Sequence, residues 1–270
     1  MKPQLVALDL DDTLLSPDLS IAAINADAVR RALAAGVKVV LASGRTIDSM
    51  RGYAQELGMR GRGLPIICAN GAEVRDVDSE AILRRIALTP HACRMALSAL
   101  KDLGLPAQTY EEGIILVSER NAWTDEDSRL TGLGQRLATG HEELAAQPRS
   151  KLLAAAEPER ISALLADMQK RLAGIATVLI SKPCFMEILP PGADKGHALA
   201  WVAERYGIAR QRVMAIGDSG NDIGMLSWAG IACCPADARA DVRALTPNIS
   251  ERPHEEGAVA ELLERFIFSA

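Results

Sequence analysis

The chain has 270 residues, 49% of them apolar and 24% charged, with a formal net charge of -5 at pH 7. That balance describes a globular protein of one large or two ordinary domains with enough apolar residues for a real core. It argues against a nucleic-acid partner, because a phosphate backbone requires concentrated Lys and Arg, and here both are scattered. Aromatic residues make up only 3%, so the core is expected to consist of Ala, Leu, Val and Ile. No apolar stretch approaches the roughly 20 residues that span a bilayer, which predicts no membrane partner. The opening MKPQLVALDLDD reaches an acid by position 9, unlike a secretory leader, so a cytoplasmic location is expected. Cys68, Cys93, Cys184, Cys233 and Cys234 form no CxxC pair. They read as small hydrophobes in a reducing compartment, with redox activity of adjacent Cys233 and Cys234 as the alternative.

The first element is a short apolar strand, Leu5 to Leu8, ending at Asp9. Ser20 is placed to cap a helix from Ile21 to about Ala35, and Gly36 to end it. A strand over 37–42 runs into Ser43-Gly44-Arg45, followed by a helix over 46–57 and a buried strand over 65–69. Continuous apolar strands alternating with helices predict an α/β fold with a doubly wound, mostly parallel sheet. From about 73 the pattern changes to partly exposed strands, with helical stretches near 90–102, 129–138 and 158–171. Alternation resumes with a helix over 195–206, the strand RVMAI at 212–216, a helix from 221, and the strand IACC at 231–234. Helices around 236–244 and 256–267 close the chain. We therefore expect a discontinuous core, 1–80 plus 190–270, carrying an inserted α+β domain over 81–189.

The phrase VALDLDDTLL puts Asp9, Asp11, Asp12 and Thr13 where a buried strand opens into a loop, the usual ligand position of a parallel sheet. An Asx-type turn is one explanation. A calcium loop is another, but Leu14 stands where that loop needs Gly and Ser20 where it needs Glu. A third is chemical. Of two carboxylates one residue apart, Asp9 can attack phosphorus while Asp11 protonates the departing alkoxide, an acid contribution of about 10²–10⁴-fold. A crowded carboxylate site raises the pKa of such an acid. A divalent metal relieves the repulsion between carboxylate and phosphate, and Mg²⁺ favours such oxygen ligands.

Three further segments fit that chemistry. Ser43-Gly44-Arg45 combines a hydroxyl, exposed N–H groups and a flexible glycine, either a phosphate cradle or a plain turn before a helix. Lys195 opens a helix, where a cation opposes the helix dipole; it is either a solvated lysine or one reaching an anionic site. In MAIGDSGNDIGML, Asp218, Asn221 and Asp222 gather between a strand and a helix, and Gly217 and Gly220 allow close backbone approach.

Taken in order, Asp9-Leu10-Asp11-Asp12-Thr13, Ser43-Gly44-Arg45, Lys195 and Gly217-Asp218-Ser219-Gly220-Asn221-Asp222 resemble the haloacid dehalogenase (HAD) superfamily, specifically its Cof-type phosphatases with a large inserted cap. Asn70-Gly71-Ala72 and Glu255-Glu256-Gly257-Ala258-Val259 are secondary matches. The resemblance implies a mobile cap over a doubly wound core, and Mg²⁺ bound by Asp9, Asp218, Asp222 and the main-chain carbonyl of Asp11. It implies Asp9 as nucleophile, Asp11 as general acid and then base, and Ser43 and Lys195 on the phosphoryl oxygens. Gly44, Arg45 and Asn221 are further substrate-binding expectations. Asp222 and Asn221 can support the metal, Lys195 or the substrate. Three departures stand out: Asp12 where Gly is common, Cys234-Pro235-Ala236-Asp237-Ala238 in place of the usual Asn-Ala, and Ser43 for Thr.

The leading expectation is Mg²⁺-dependent hydrolysis of a small phosphomonoester, such as a sugar phosphate, through an aspartyl-phosphate. The alternatives are a phosphomutase or phosphotransferase of the same superfamily and a non-catalytic protein that binds a phosphate ligand. No strand runs into a GxGxxG turn, which argues against nicotinamide binding. Arg84, Arg85, Arg149, Lys151, Lys182 and Glu187 are cap residues able to touch substrate, with a structural or solvated role as the alternative for each. No feature of the sequence speaks to oligomeric state.

Overall fold

A computed structural model describes residues 2–269. They form two compact units, one running to Arg84 and resuming at Asp194, the other comprising Arg85–Ala193. The first begins with β1 (Leu5–Leu8), α1 (Ala23–Ala34), β2 (Lys38–Leu41), α2 (Ile47–Glu56), β3 (Pro65–Cys68), β4 (Glu73–Asp76) and β5 (Ile82–Arg85). The second contains α3 (Pro90–Asp102), β6 (Gln108–Glu111), β7 (Ile114–Val117), α4 (Ala122–Thr131), β8 (Gly134–Leu137) and α5 (His141–Leu144). It continues with β9 (Leu152–Ala155), α6 (Pro158–Arg171), β10 (Thr177–Lys182) and β11 (Phe185–Leu189). The chain then returns with α7 (Lys195–Arg205), β12 (Val213–Ile216), α8 (Ile223–Trp228), β13 (Ile231–Cys234), α9 (Ala240–Leu245), β14 (Asn248–Ile249) and α10 (Ala258–Leu263).

The first unit is built on a parallel sheet in the order β14-β13-β12-β1-β2. Every residue of β1 is fully buried because the sheet is covered on both faces. Val6 and Leu8 pack into one cluster with residues of α1, α2 and α10. Leu5 and Ala7 pack into another with α7 and α8. Truncating such a buried leucine costs about 2–5 kcal/mol, so this strand is central to the stability of the unit. From β1 the chain steps outward to β2 on one side, while β12 returns on the other. The carboxyl ends of β1 and β12 therefore flank the point where strand order reverses, the crevice in which open α/β sheets bind ligands. β3 joins β2 through the parallel bridge Ala42–Ile67 and continues into β4 and β5.

The second unit has a six-stranded sheet, β10-β11-β9-β6-β7-β8, antiparallel except for the β7–β8 pair. One face, including Leu152, Ala154, Met186 and Ile188, packs against α3 and α6. On the other, Leu153, Ala155 and Phe185 meet Trp123 and Leu130 of α4. No helix among the described residues is long and apolar enough to cross a membrane. All five cysteines are buried and unbridged.

Some expected elements shift. Ser20 does not cap α1: Ala22 takes that position without a side-chain bond, and the Ser20 hydroxyl instead bonds Asp18. A helix expected over 129–138 is the end of α4 followed by β8. The true start is a capping box at Asn121, and Gly132, at φ 72°, ends the helix in the left-handed conformation. β14 and α5 went unrecognised because two and four residues carry too little periodicity.

Candidate active site

Two strand ends and a helix start converge. Leu8 pairs with Ile216, so the residues following each strand emerge side by side, and Asp9 N donates to Ile216 O at 3.0 Å. Asp9 follows β1 and Asp218 follows β12 by two residues. Asp222 closes a 3-10 turn that opens α8, and its Oδ2 accepts from the N–H groups of Asp218 (3.0 Å) and Ser219 (3.1 Å). Carboxylate oxygens of Asp9, Asp218 and Asp222 lie within 4.8 Å of one another, all three residues buried.

Lys195 is the cation in that cluster. It is the first residue of α7 and fully buried, with Nζ 2.5 Å from Asp9 Oδ1 and 2.7 Å from Asp222 Oδ1. The helix start is capped by Asp194, whose Oδ1 accepts from Gly196 N and His197 N. The dipole penalty of a lysine at this position is thus offset by two carboxylates. Burial alone would lower the Lys195 ammonium's pKa, but Asp222 and Asp9 outweigh it and raise it above the ordinary lysine value.

The acids respond in the opposite sense. Burial raises the pKa of Asp9, with repulsion from Asp222 and Asp11 adding to it and Lys195 opposing. Burial raises Asp218 as well, helped by Asp9 and Asp222 and resisted by the Thr13 hydroxyl, which donates to Asp218 Oδ1 at 2.9 Å. With all three carboxylates ionised against one ammonium, the buried site would carry an excess of two negative charges, which the raised pKa values of Asp9 and Asp218 oppose. A divalent cation fits that excess, and an all-oxygen donor set suits Mg²⁺. Asp9 and Asp218 are the better ligands of the three. Both Asp222 oxygens already accept bonds from Lys195 and main-chain N–H groups, whereas Lys195 and Thr13 each occupy one oxygen of Asp9 and Asp218.

The remaining expected residues lie in the same unit. Ser43 follows β2 and is buried; its Oγ accepts from Arg45 N at 3.2 Å, and its carbonyl accepts from Asn70 N. Gly44 and Arg45 form a bend before α2. Arg45, expected on phosphate, is engaged by Asp11 through two hydrogen bonds, Nε to Oδ2 at 3.0 Å and Nη2 to Oδ1 at 2.8 Å. Asn221 donates to Asn70 Oδ1 at 3.0 Å.

Three supporting residues escaped the sequence reading as contributors: Thr13 on Asp218, Asn70 on Asn221, and Asp194 at the cap of α7. Thr13 and Asn70 lie within the matched motifs, though their bonding partners are not legible there, and Asp194 carries the signal of an Asp immediately before a helix. Asn70 sits in a run of left-handed residues, Ala69 (φ 48°), Asn70 (φ 51°) and Gly71 (φ 92°). Gly71 is required there, since a Cβ would lie 2.2 Å from Asp194 O. Asp12 also has φ 59°, which explains why glycine suits that position. In the second unit, Arg149 binds Leu144 O, Glu143 O and Glu111, a structural role.

A family model for haloacid dehalogenase-like hydrolases matches residues 6–263. The chain belongs to that family. Among relatives of this haloacid dehalogenase-like hydrolase, the 5-amino-6-(5-phospho-D-ribitylamino)uracil phosphatase YcsE of Bacillus subtilis is 29% identical over 266 residues, covering 98% of this chain and 96% of the relative. An HMP-PP phosphatase of Cronobacter sakazakii is 26% identical over 272 residues, covering 98% and 96%. A crystal structure of a haloacid dehalogenase-like hydrolase from Bacteroides thetaiotaomicron superposes with a TM-score of 0.89 at 28% identity, covering 98% of this chain and 99% of that one. Like these phosphatases, this haloacid dehalogenase-like hydrolase is an enzyme of phosphatase type.

Proposed function

We propose that this enzyme hydrolyses a small phosphomonoester in a Mg²⁺-dependent reaction through a phosphoryl group carried on Asp9. The observation that carries the reading is the buried meeting of Asp9, Asp218 and Asp222 with Lys195. Such a site is anionic where a nucleophile is needed and cationic where phosphoryl oxygens must rest. Asp9 and Asp218 would hold Mg²⁺, with the main-chain carbonyl of Asp11 as a further oxygen. The metal supplies charge neutralisation, allowing a carboxylate and a phosphate dianion to approach.

This chain's own groups do the rest. Lys195 fixes Asp9 Oδ1, whose second acceptor site would serve the metal, leaving Oδ2 to attack phosphorus in line with the departing alkoxide. The P–O bond to the alcohol breaks as the Asp9 O–P bond forms, and Asp11 gives the alkoxide its proton. Asp11 then takes a proton from water, whose oxygen attacks the same phosphorus and releases Asp9 and inorganic phosphate. Ser43 Oγ accepts from Arg45 N, which leaves its hydroxyl proton available to donate to a phosphoryl oxygen. Lys195 neutralises the oxygens that gain charge, a contribution of about 10²–10³-fold for a single well-placed donor. Asp222 holds Lys195 and orders the Asp218 turn.

Relatives named for a ribityl phosphate and for HMP-PP support a small phosphorylated metabolite as substrate. We assign its selection to the unit Arg85–Ala193. The test is phosphate release from a panel of phosphorylated metabolites with Mg²⁺, with EDTA, and with Asp9→Asn. Turnover that requires Mg²⁺ and vanishes in the variant is expected; undiminished turnover by the variant refutes Asp9 as nucleophile.

A further inference from the structure

The Asp11–Arg45 pair has a geometry that phosphate binding alone does not require. The guanidinium meets the carboxylate fork to fork, with bonds of 3.0 and 2.8 Å. The two side chains differ in exposure: that of Arg45 is 6% accessible and that of Asp11 23%. Arg45 is therefore the fixed partner. Its main-chain N donates to Ser43 Oγ, its carbonyl accepts from Ala69 N at 2.9 Å, and its guanidinium lies 5.9 Å from the Tyr53 ring centre. Asp11, by contrast, stands in the loop after β1 next to Asp12, a residue with left-handed backbone. A partly exposed carboxylate on such a loop has several rotamers available, and two parallel hydrogen bonds select one of them.

We propose that Arg45 is a positioning residue for Asp11, orienting its carboxylate toward the departing alkoxide, and not a ligand of the phosphoryl group. Each carboxylate oxygen offers two acceptor sites, and the guanidinium takes one on each. The second site on either oxygen can carry the proton that Asp11 donates, so the pair orients the group without blocking the transfer. Proton transfer needs heavy atoms within about 2.6–3.2 Å, so an unheld Asp11 loses rate through geometry. Lysine cannot replace arginine here, because its single ammonium lacks the planar fork that sets the carboxylate plane. The inference rests on the proposed roles of Asp9 and Asp11.

The experiment compares kcat/KM for two esters, an alkyl phosphate and p-nitrophenyl phosphate, in the parent, Arg45→Lys and Asp11→Asn. The ratio kcat/KM reports departure of the leaving group and not the later hydrolysis of the phospho-enzyme. An alkoxide needs the proton from Asp11, whereas p-nitrophenolate leaves without one. Arg45→Lys is expected to lose on the order of 100-fold on the alkyl ester and at least about tenfold less on the aryl ester. Asp11→Asn should show the same leaving-group dependence, and the double variant should lose little beyond either single change. Equal losses on both esters, or no loss on either, overturn the positioning role; equal losses identify Arg45 as a phosphoryl ligand instead. Arg45→Gln serves in the same comparison if the lysine variant does not fold. Parent turnover abolished by Asp9→Asn tests the underlying reaction separately, and a parent inactive on both esters overturns the two together.

Discussion

Lys195 Nζ lies 2.5 Å from Asp9 Oδ1, although 186 positions separate the two residues in the chain. The contact joins the end of the first strand to the first residue of a helix that follows the whole second unit. It makes Lys195 a counter-charge for two buried acids.

Lys195→Met is therefore expected to destabilise the protein by about 3–5 kcal/mol, the typical cost of stranding a buried charge. Phosphate release should fall by about 10²–10³-fold or more, because the ammonium assigned to the phosphoryl oxygens is then missing. Denaturant melts and a phosphate assay measure the two effects. A variant as stable as the parent near neutral pH would contradict the central place given to this pair.

The acid cluster predicts how stability depends on pH without metal. Asp9 is raised from 3.8 to about 7 and Asp218 from 3.8 to about 9, burial being the largest cause for each. The folded protein then keeps protons that the unfolded chain has lost. The stability due to these groups is complete below the unfolded values and declines as pH rises through the folded ones. If Asp9 and Asp218 hold Mg²⁺ as proposed, the ion would take the place of those protons. Its stabilising effect should thus be small near about pH 5 and several degrees larger in Tm near about pH 8.5. Thermal melts with Mg²⁺ and with EDTA at both pH values test this, and a larger effect at the acidic value would count against the metal assignment.

Gly71 supports the start of α7 from across the site. A Cβ there would meet Asp194 O at 2.2 Å in a backbone with φ 92°. Gly71→Ala should cost roughly 2–3 kcal/mol through strain and overpacking. Activity should fall with it, since Asp194 caps the helix that delivers Lys195. Full activity and unchanged melting in this variant would show that the α7 start can shift freely.

Asp12 is exposed and holds φ 59°. Asp12→Gly removes that strain, so a gain of about 0.5–1 kcal/mol with phosphatase activity retained is expected, read by chemical denaturation. Loss of activity would point to a role for the Asp12 carboxylate beyond its turn.

The layered α/β plan was legible in the order of residues along the chain, and so were the local signals at Asp9, Asp218 and Lys195. β1 is buried on both faces, so its four apolar residues and the abrupt acid at Asp9 are local signals that need no knowledge of the fold. The same holds for VMAI followed by Gly217-Asp218, and for a lysine at a helix start where a cation is otherwise unfavourable. Tertiary structure alone decided how the polar groups divide their bonds. Asp222 spends its oxygens on Lys195 and on two main-chain N–H groups, Asp11 faces Arg45, and Thr13 and Asn70 brace Asp218 and Asn221. Periodicity along a chain reports which face of an element is buried. A hydrogen bond between residues far apart in sequence depends instead on strand order, register and helix placement, which exist only once the chain has folded.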